Sequence, residues 1–296
     1  MHKSSKDISF NAGQSINCNG KILDLLTPVV MGIVNLSPDS FYVPKLAGFQ
    51  KKEGEDVKAI LHYVGLTIEE GATIIDIGAY SSRPGAKEIS TKEELKRLLP
   101  VLAAIRVAYP DIVISVDTFR SEVALEAGAH GADVVNDISG GEMDTKMFDV
   151  IANSKMAYIL MHMKGTPQNM QDMPEYLDVY EEVFEYFSER LKRLEQLGVE
   201  NIIIDPGFGF GKSLEHNYIL LNKLAEFRQL GHPILAGLSR KSMINKVLGT
   251  SPENALNGTS VLNAIALLNG AKILRVHDVK EASEAIKLVN HLRAKQ

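Results

Sequence analysis

Four apolar runs in this chain end near a carboxylate or an amide and then break into a polar or glycine-rich loop. They are Thr73-Ile-Ile-Asp76-Ile-Gly78, Ile112-Val-Ile-Ser-Val-Asp117, Val134-Val-Asn136-Asp137 and Asn201-Ile-Ile-Ile-Asp205, the last followed by Pro-Gly-Phe-Gly-Phe-Gly-Lys212. A short apolar run closed by a loop is how a strand buried on both faces of a parallel sheet reads. If the four strands are parallel, their polar ends gather at one end of one sheet. A ring of carboxylates and amides gathered in that way is a ligand site.

The elements that must carry such a ring are legible as an alternation. Strand-like runs begin near Val29, Thr73, Ile112, Val134, Ala157, Ile202, Ile234 and Ile273, eight in all. Eight is the number a closed parallel barrel requires. Between and after them, helical periodicity predicts helices over about 52–70, 92–108, 120–129, 145–153, 176–197, 216–229, 254–269 and 280–293. Ser90-Thr91-Lys-Glu-Glu94 has the form of a capping box in which Thr91 caps the helix and Glu94 reaches back. Gly198 suits the left-handed residue that ends the 176–197 helix. Asn19-Gly20, between short alternating stretches, predicts a tight antiparallel turn. The fold expected is a (β/α)8 TIM barrel, residues 29–296, preceded within the same domain by an N-terminal extension and hairpin over residues 1–28.

Composition agrees with one enzyme-sized domain. With 296 residues, 45% hydrophobic and 23% charged, the chain can bury a large core. Its net charge is −5, with Lys and Arg spread along the chain, so no electrostatic footprint for nucleic acid or an anionic membrane is expected. Cys18 is the single cysteine, which excludes an internal disulfide and points to a reduced, cytoplasmic setting. Residues 1–7 lack a secretory h-region, and no stretch of about 18 apolar residues predicts a membrane span.

Seven segments, in order, carry a family likeness: Met31-Gly-Ile-Val-Asn35-Leu-Ser-Pro-Asp39-Ser-Phe41, Asp76-Ile-Gly-Ala-Tyr-Ser81-Ser-Arg83-Pro-Gly85, Ser115-Val-Asp117-Thr118, Met161-His-Met-Lys-Gly-Thr166, Asp205 to Lys212, Gly237-Leu-Ser-Arg240-Lys241-Ser242 and Arg275-Val-His277-Asp278. Together they resemble the dihydropteroate synthases, folate-pathway enzymes that join a pterin diphosphate to p-aminobenzoate, over about residues 30–280. A reduced pterin is a flat ring with a donor-rich edge, so a dry pocket for it needs acceptors in one plane. The resemblance assigns Asp205 to ring N3 and the exocyclic amine, Asn136 to the same edge, Asp117 to the other side, and Lys241 to the ring oxygen and N5. Arg275 joins that set, with Met163 and Phe210 as apolar walls.

For the diphosphate, the resemblance implies a clamp of Ser82, Arg83, Arg275 and His277, with Asn35 on Mg²⁺. Arg275 and His277, two apart on a strand, can project to one face. The p-aminobenzoate pocket implied is Phe41, Ser82, Pro84, Phe210, Lys241 and Ser242. Lys241, Arg83, Arg275 and His277 would act on the reacting groups, and a homodimer through the late helices is implied as well. The chain departs from the family after Phe41, where Tyr42-Val43-Pro44-Lys45 replaces a common Ser-Asp-Gly-Gly and puts Val43 where an acid is usual.

Gly207-Phe-Gly-Phe-Gly211-Lys212-Ser213 ends like a phosphate-binding P-loop, but Pro206 stands where that motif needs its first glycine. His162 lacks metal-ligand spacing and is expected to be a satisfied buried histidine. Two other readings compete: a methyltetrahydrofolate-dependent methyltransferase, and a catalytically silent pterin-binding paralogue. The methyltransferase leaves the Ser82-Arg83-Pro84-Gly85 loop and the Arg275/His277 pair unexplained.

Overall fold

The computed structural model describes residues 15–36, 55–81, 88–170 and 174–295. The chain opens with an antiparallel hairpin, β1 (Ser15–Cys18) and β2 (Lys21–Asp24), paired Cys18 to Lys21 and Ser15 to Asp24. Asn19 and Gly20 both take positive φ, 54° and 94°, as a two-residue turn of the predicted kind requires.

Eight parallel strands follow: β3 (Val29–Asn35), β4 (Ala72–Gly78), β5 (Val113–Asp117), β6 (Val134–Asp137), β7 (Ala157–Met161), β8 (Ile202–Asp205), β9 (Leu235–Ala236) and β10 (Ile273–Val276). They are hydrogen-bonded in the order β8-β7-β6-β5-β4-β3-β10-β9. A parallel bridge between Ile204 and Ile234 joins the two ends and closes the barrel. Helices α1 (Glu55–Glu69), α2 (Thr91–Ala108), α3 (Ser121–Ala129), α4 (Met147–Ala152), α5 (Val179–Gln196), α6 (Leu214–Asn222), α7 (Ser242–Leu248), α8 (Leu256–Leu268) and α9 (Val279–Arg293) alternate with the strands. None of them is long and apolar enough to cross a membrane.

Side-chain parity sorts each strand into two cores. Ile75, Ile77, Ile114, Val116, Val135, Leu160, Ile204 and Val276 face outward into the large core shared with the helices. Met31, Ile74, Val113, Val134, Ala157, Ile159, Ile203, Leu235 and Ile273 face inward and form one apolar cluster inside the barrel. The hairpin plugs the barrel beneath those residues with Ile16, Cys18, Leu23 and Leu25, all buried in the same cluster. It is pinned by Lys21, whose ammonium donates to both oxygens of Asp133 at 2.9 and 3.0 Å. Burial pushes the Cys18 thiol up to about 12, with Asp133 adding to the effect. That thiol is inert packing rather than a nucleophile.

Three local expectations change. The cap of α2 is Ser90, not Thr91, and it accepts from Glu93 N at 3.2 Å. Glu94 does not close a capping box. It is buried and receives Thr118 Oγ1 at 2.8 Å and Arg120 Nη1 at 2.6 Å, because a carboxylate removed from water needs charged and polar partners. The helix predicted over 216–229 is two pieces, α6 and a 3-10 helix over Leu224–Leu230. The short helix α7, after β9, was not anticipated. Gly198 does cap α5, with φ 78°.

Candidate active site

Beyond the inner apolar cluster, the inward-facing side chains become polar. Ile74 gives way to Asp76, Val113 to Ser115 and Asp117, Val134 to Asn136, Ile203 to Asp205, and Ile273 to Arg275. Strand register places these side by side: Asp76 is level with Ser115, and Asp117 with Asn136. The polar layer therefore lies at the C-terminal end of the barrel, above an apolar floor.

Asp76 is the hub of this layer, although the family likeness assigns it no ligand contact. Its carboxylate accepts from Ser115 Oγ at 2.7 Å, Asn136 Nδ2 at 3.2 Å and Arg275 Nε at 2.7 Å. The same guanidinium donates through Nη2 to Asp117 at 2.7 Å. Burial works against the Arg275 charge, but Asp76 and Asp117 more than reverse it and hold the guanidinium cationic. For Asp117, burial raises the carboxyl above its ordinary range and Arg275 opposes the rise. Parity turns Asp76 inward: it lies two residues after the inward Ile74, between two outward isoleucines.

Asp205 is held from its own loop, accepting from Gly207 N at 2.8 Å. Burial raises its carboxyl, with Lys241 as the strongest opposing charge. Burial in turn lowers the Lys241 ammonium to about 8, against the pull of Asp205. Lys241 Nζ donates to Phe208 O and stands 4.9 Å from the centre of the Phe210 ring. Its direction is set by Arg240, whose φ of 56° is unusual for a side chain of that size. Asp278 holds that arginine by a two-point ion pair at 2.9 and 2.8 Å, and the carbonyls of Pro252 and Glu253 add two more bonds. Gly237 leaves the space open: a Cβ there would lie 3.6 Å from Lys241 Nζ and 4.0 Å from Asp205 Oδ2.

An apolar cluster of Phe119, Ile138, Met161, Met163 and Met170, with Tyr80 and Phe210 packed on it, forms the wall beside these groups. Met163 belongs to this cluster and Phe210 packs against it. Asn35 is the last residue of β3, on its inward parity and level with Gly78. His277 follows β10, and its Nδ1 lies 3.0 Å from Ser239 Oγ, a partner the sequence did not suggest. Ser242 is the first residue of α7. His162 points away from the barrel interior and meets Lys212 Nζ through Nδ1 at 2.9 Å, the buried role expected of it. Phe41, Ser82, Arg83 and Pro84, and the departure at Val43, lie outside the described residues.

The layer thus gathers carboxylates from three strands and an amide from a fourth, with the cations Arg275 and Lys241 beside them. The sequence profile of the family described as pterin binding enzyme matches residues 31–277. Dihydropteroate synthase of Escherichia coli (strain K12) is 45% identical over 272 residues, covering 91% of this chain and 93% of that protein. Among solved structures, Yersinia pestis dihydropteroate synthase with a sulfonamide drug complex superposes with a TM-score of 0.87 at 38% identity, covering 95% of this chain and 99% of that one. Dihydropteroate synthase from Xanthomonas albilineans in complex with 7,8-dihydropteroate gives a TM-score of 0.81 at 35% identity, with the same coverage.

Proposed function

The chain belongs to the pterin binding enzyme family, as a dihydropteroate synthase of folate biosynthesis, and from that premise we propose how its barrel mouth performs the reaction. The amine of p-aminobenzoate attacks the exocyclic methylene of 6-hydroxymethyl-7,8-dihydropterin diphosphate. The bond from that carbon to the diphosphate oxygen breaks, pyrophosphate leaves, and the amine loses a proton to give 7,8-dihydropteroate. No covalent enzyme intermediate is needed, because the electron-rich ring shares positive charge at the methylene as the leaving group departs. The protein's work is to hold the ring and to neutralise the diphosphate.

Asp205 and Asn136 would take the ring's amidine edge, Asp117 its far side, and Lys241 its oxygen and N5. The observation that carries this reading is convergence: Asp117, Asn136, Asp205 and Arg275 lie on the inward parity of four strands, and Lys241 reaches the same space. Charge-assisted hydrogen bonds are about twice as strong as neutral ones, so such a set selects a donor-rich ring over a plain apolar one. Arg275 and His277, together with Ser82 and Arg83, would face the diphosphate. The amide oxygen of Asn35 fits Mg²⁺, a hard cation often held by one or two protein oxygens plus substrate phosphates. Bound there, the ion would neutralise charge on the leaving group. Phe41, Ser82, Pro84, Phe210, Lys241 and Ser242 would enclose p-aminobenzoate, the position a sulfonamide would contest.

A cytoplasmic homodimer completes the reading. Val261, Ile265 and Leu268 make an exposed apolar stripe on α8, and Leu288 and Leu292 add to it on the adjoining α9. Sedimentation velocity at micromolar concentration checks the dimer. For the activity, pyrophosphate release is expected only with both substrates and Mg²⁺ together, and is expected to stop on adding EDTA. Tight binding of the pterin with no turnover would favour the silent paralogue instead.

A further inference from the structure

The lysine that ends the false P-loop is buried, 4% exposed, and no step of the reaction uses it. Its ammonium is turned back beneath the loop that follows β8. Lys212 Nζ donates to Gly207 O at 3.0 Å, Phe210 O at 2.9 Å and His162 O at 3.2 Å, and His162 Nδ1 lies at 2.9 Å. Three carbonyl oxygens and a ring nitrogen thus surround one lysine nitrogen, with no carboxylate in contact, and burial pushes its ammonium well below the ordinary lysine range.

The glycines make that cage possible. Gly207, Gly209 and Gly211 all take positive φ, 68°, 85° and 60°. A Cβ at Gly207 would come within 2.0 Å of His162 O, and one at Gly211 within 2.2 Å of Lys164 O. The backbone therefore winds closely against the end of β7, and its carbonyls divide between two lysines. Those of Gly207 and Phe210 turn inward to Lys212, while that of Phe208, between them, turns to Lys241. The same short segment carries Asp205 at one end, through the bond from Gly207 N, and the Phe210 ring at the other.

We propose that Lys212 is a positioning residue for the pterin pocket: its Nζ donors hold the Gly207 to Phe210 backbone against the β7 loop, so that Asp205, Phe210 and the carbonyl partner of Lys241 keep one arrangement. The proposal rests on the pterin-site reading and names a residue through which that site is built. Lys212 touches no substrate in this scheme. Its effect travels through the loop backbone alone, so it should govern how well the ring is held and leave the chemical step nearly untouched.

The test is Lys212→Met, which keeps the length and packing of the stem and removes the hydrogen-bond donors. Binding of 6-hydroxymethyl-7,8-dihydropterin is measured by calorimetry, and steady-state constants by pyrophosphate release, at a temperature where circular dichroism shows the variant folded. The expected result is pterin affinity weaker by about tenfold or more, the usual scale for leaving buried carbonyls without a donor, and a KM for the pterin diphosphate raised to match. The kcat should stay within about threefold, a barrier change under about 0.7 kcal/mol. Wild-type affinity and KM in the folded variant would overturn the proposal. Should Lys212→Met fail to fold, Lys212→Arg replaces it: donors are kept, but a planar fork cannot serve this cage, so weakened pterin binding is again expected and unchanged binding overturns the idea. Wild-type protein that binds no pterin would refute the function itself, a result distinct from either variant's.

Discussion

Lys241 carries a site charge that mild alkali removes, because burial lowers its ammonium to about 8 while Asp205 opposes the change. Only the protonated amine gives the pterin oxygen a charge-assisted hydrogen bond, roughly twice as strong as one from the neutral amine. We therefore predict that kcat/KM for the pterin diphosphate falls as pH rises through about 8 and that this limb is absent in Lys241→Arg, since arginine stays charged. A profile flat to pH 10 in the wild type would contradict the role. Folding responds with the opposite sign. The unfolded lysine keeps its proton up to 10.5, so between about 8 and 10.5 the unfolded chain binds more protons and stability rises with pH over that window. The cause is relief of the desolvation cost of a buried ammonium. Asp76 shows the other side of residue-scale reasoning: three donors converge on it, so its main task is to aim Arg275 and Asn136.

Among the elements, the loops at the C-terminal end of the barrel are built by glycines that no other residue can replace cheaply. Gly207→Ala combines a left-handed φ of 68° with a Cβ only 2.0 Å from His162 O. Gly231→Ala has a similar φ of 76° and nothing within 4 Å. The first should cost well over the roughly 1 to 2 kcal/mol of left-handed strain expected for the second. Thermal unfolding of both variants separates strain from contact: Gly207→Ala should lose several degrees more in Tm than Gly231→Ala. Equal losses would mean that the β7 and β8 loops are not packed as closely as the contact implies. The same close winding explains why His162 and Lys212, far apart in sequence, share one buried hydrogen-bond cage.

For the whole molecule, stability and chemistry sit at opposite ends of the barrel. Leu25, fully buried, closes the hairpin plug against the inner apolar cluster. Leu25→Ala should cost about 2 to 5 kcal/mol, the range for a buried leucine that leaves a cavity. Urea unfolding measures that loss, and calorimetry of the folded variant should find pterin affinity unchanged. Weakened pterin binding would show that the plug and the polar layer are coupled through the strands. The division is a property of the fold, in which conserving the bottom of the barrel serves stability and the strand ends at the top carry the ligand.

The eight-fold βα alternation was readable because each strand is a short apolar run closed by a polar loop, and all eight starts fell within a residue of the strands observed. Asp117, Asn136 and Asp205 were readable for the same reason, being the polar residue at the end of such a run. Asp76 was readable as one of those gathered groups, but its part as the hub was not, because its partners come from three other strands. Ser239 beside His277, and the lysine cage beneath the β8 loop, are contacts between distant segments and have no local pattern. The capping box failed where a long-range partner, Arg120, drew Glu94 away from its own helix end. Local periodicity thus determined which residues could face inward, since side-chain direction repeats with the backbone. Which inward groups meet, and what charge each then keeps, was decided only by closure of the barrel, because register across strands and burial are properties of the assembled sheet.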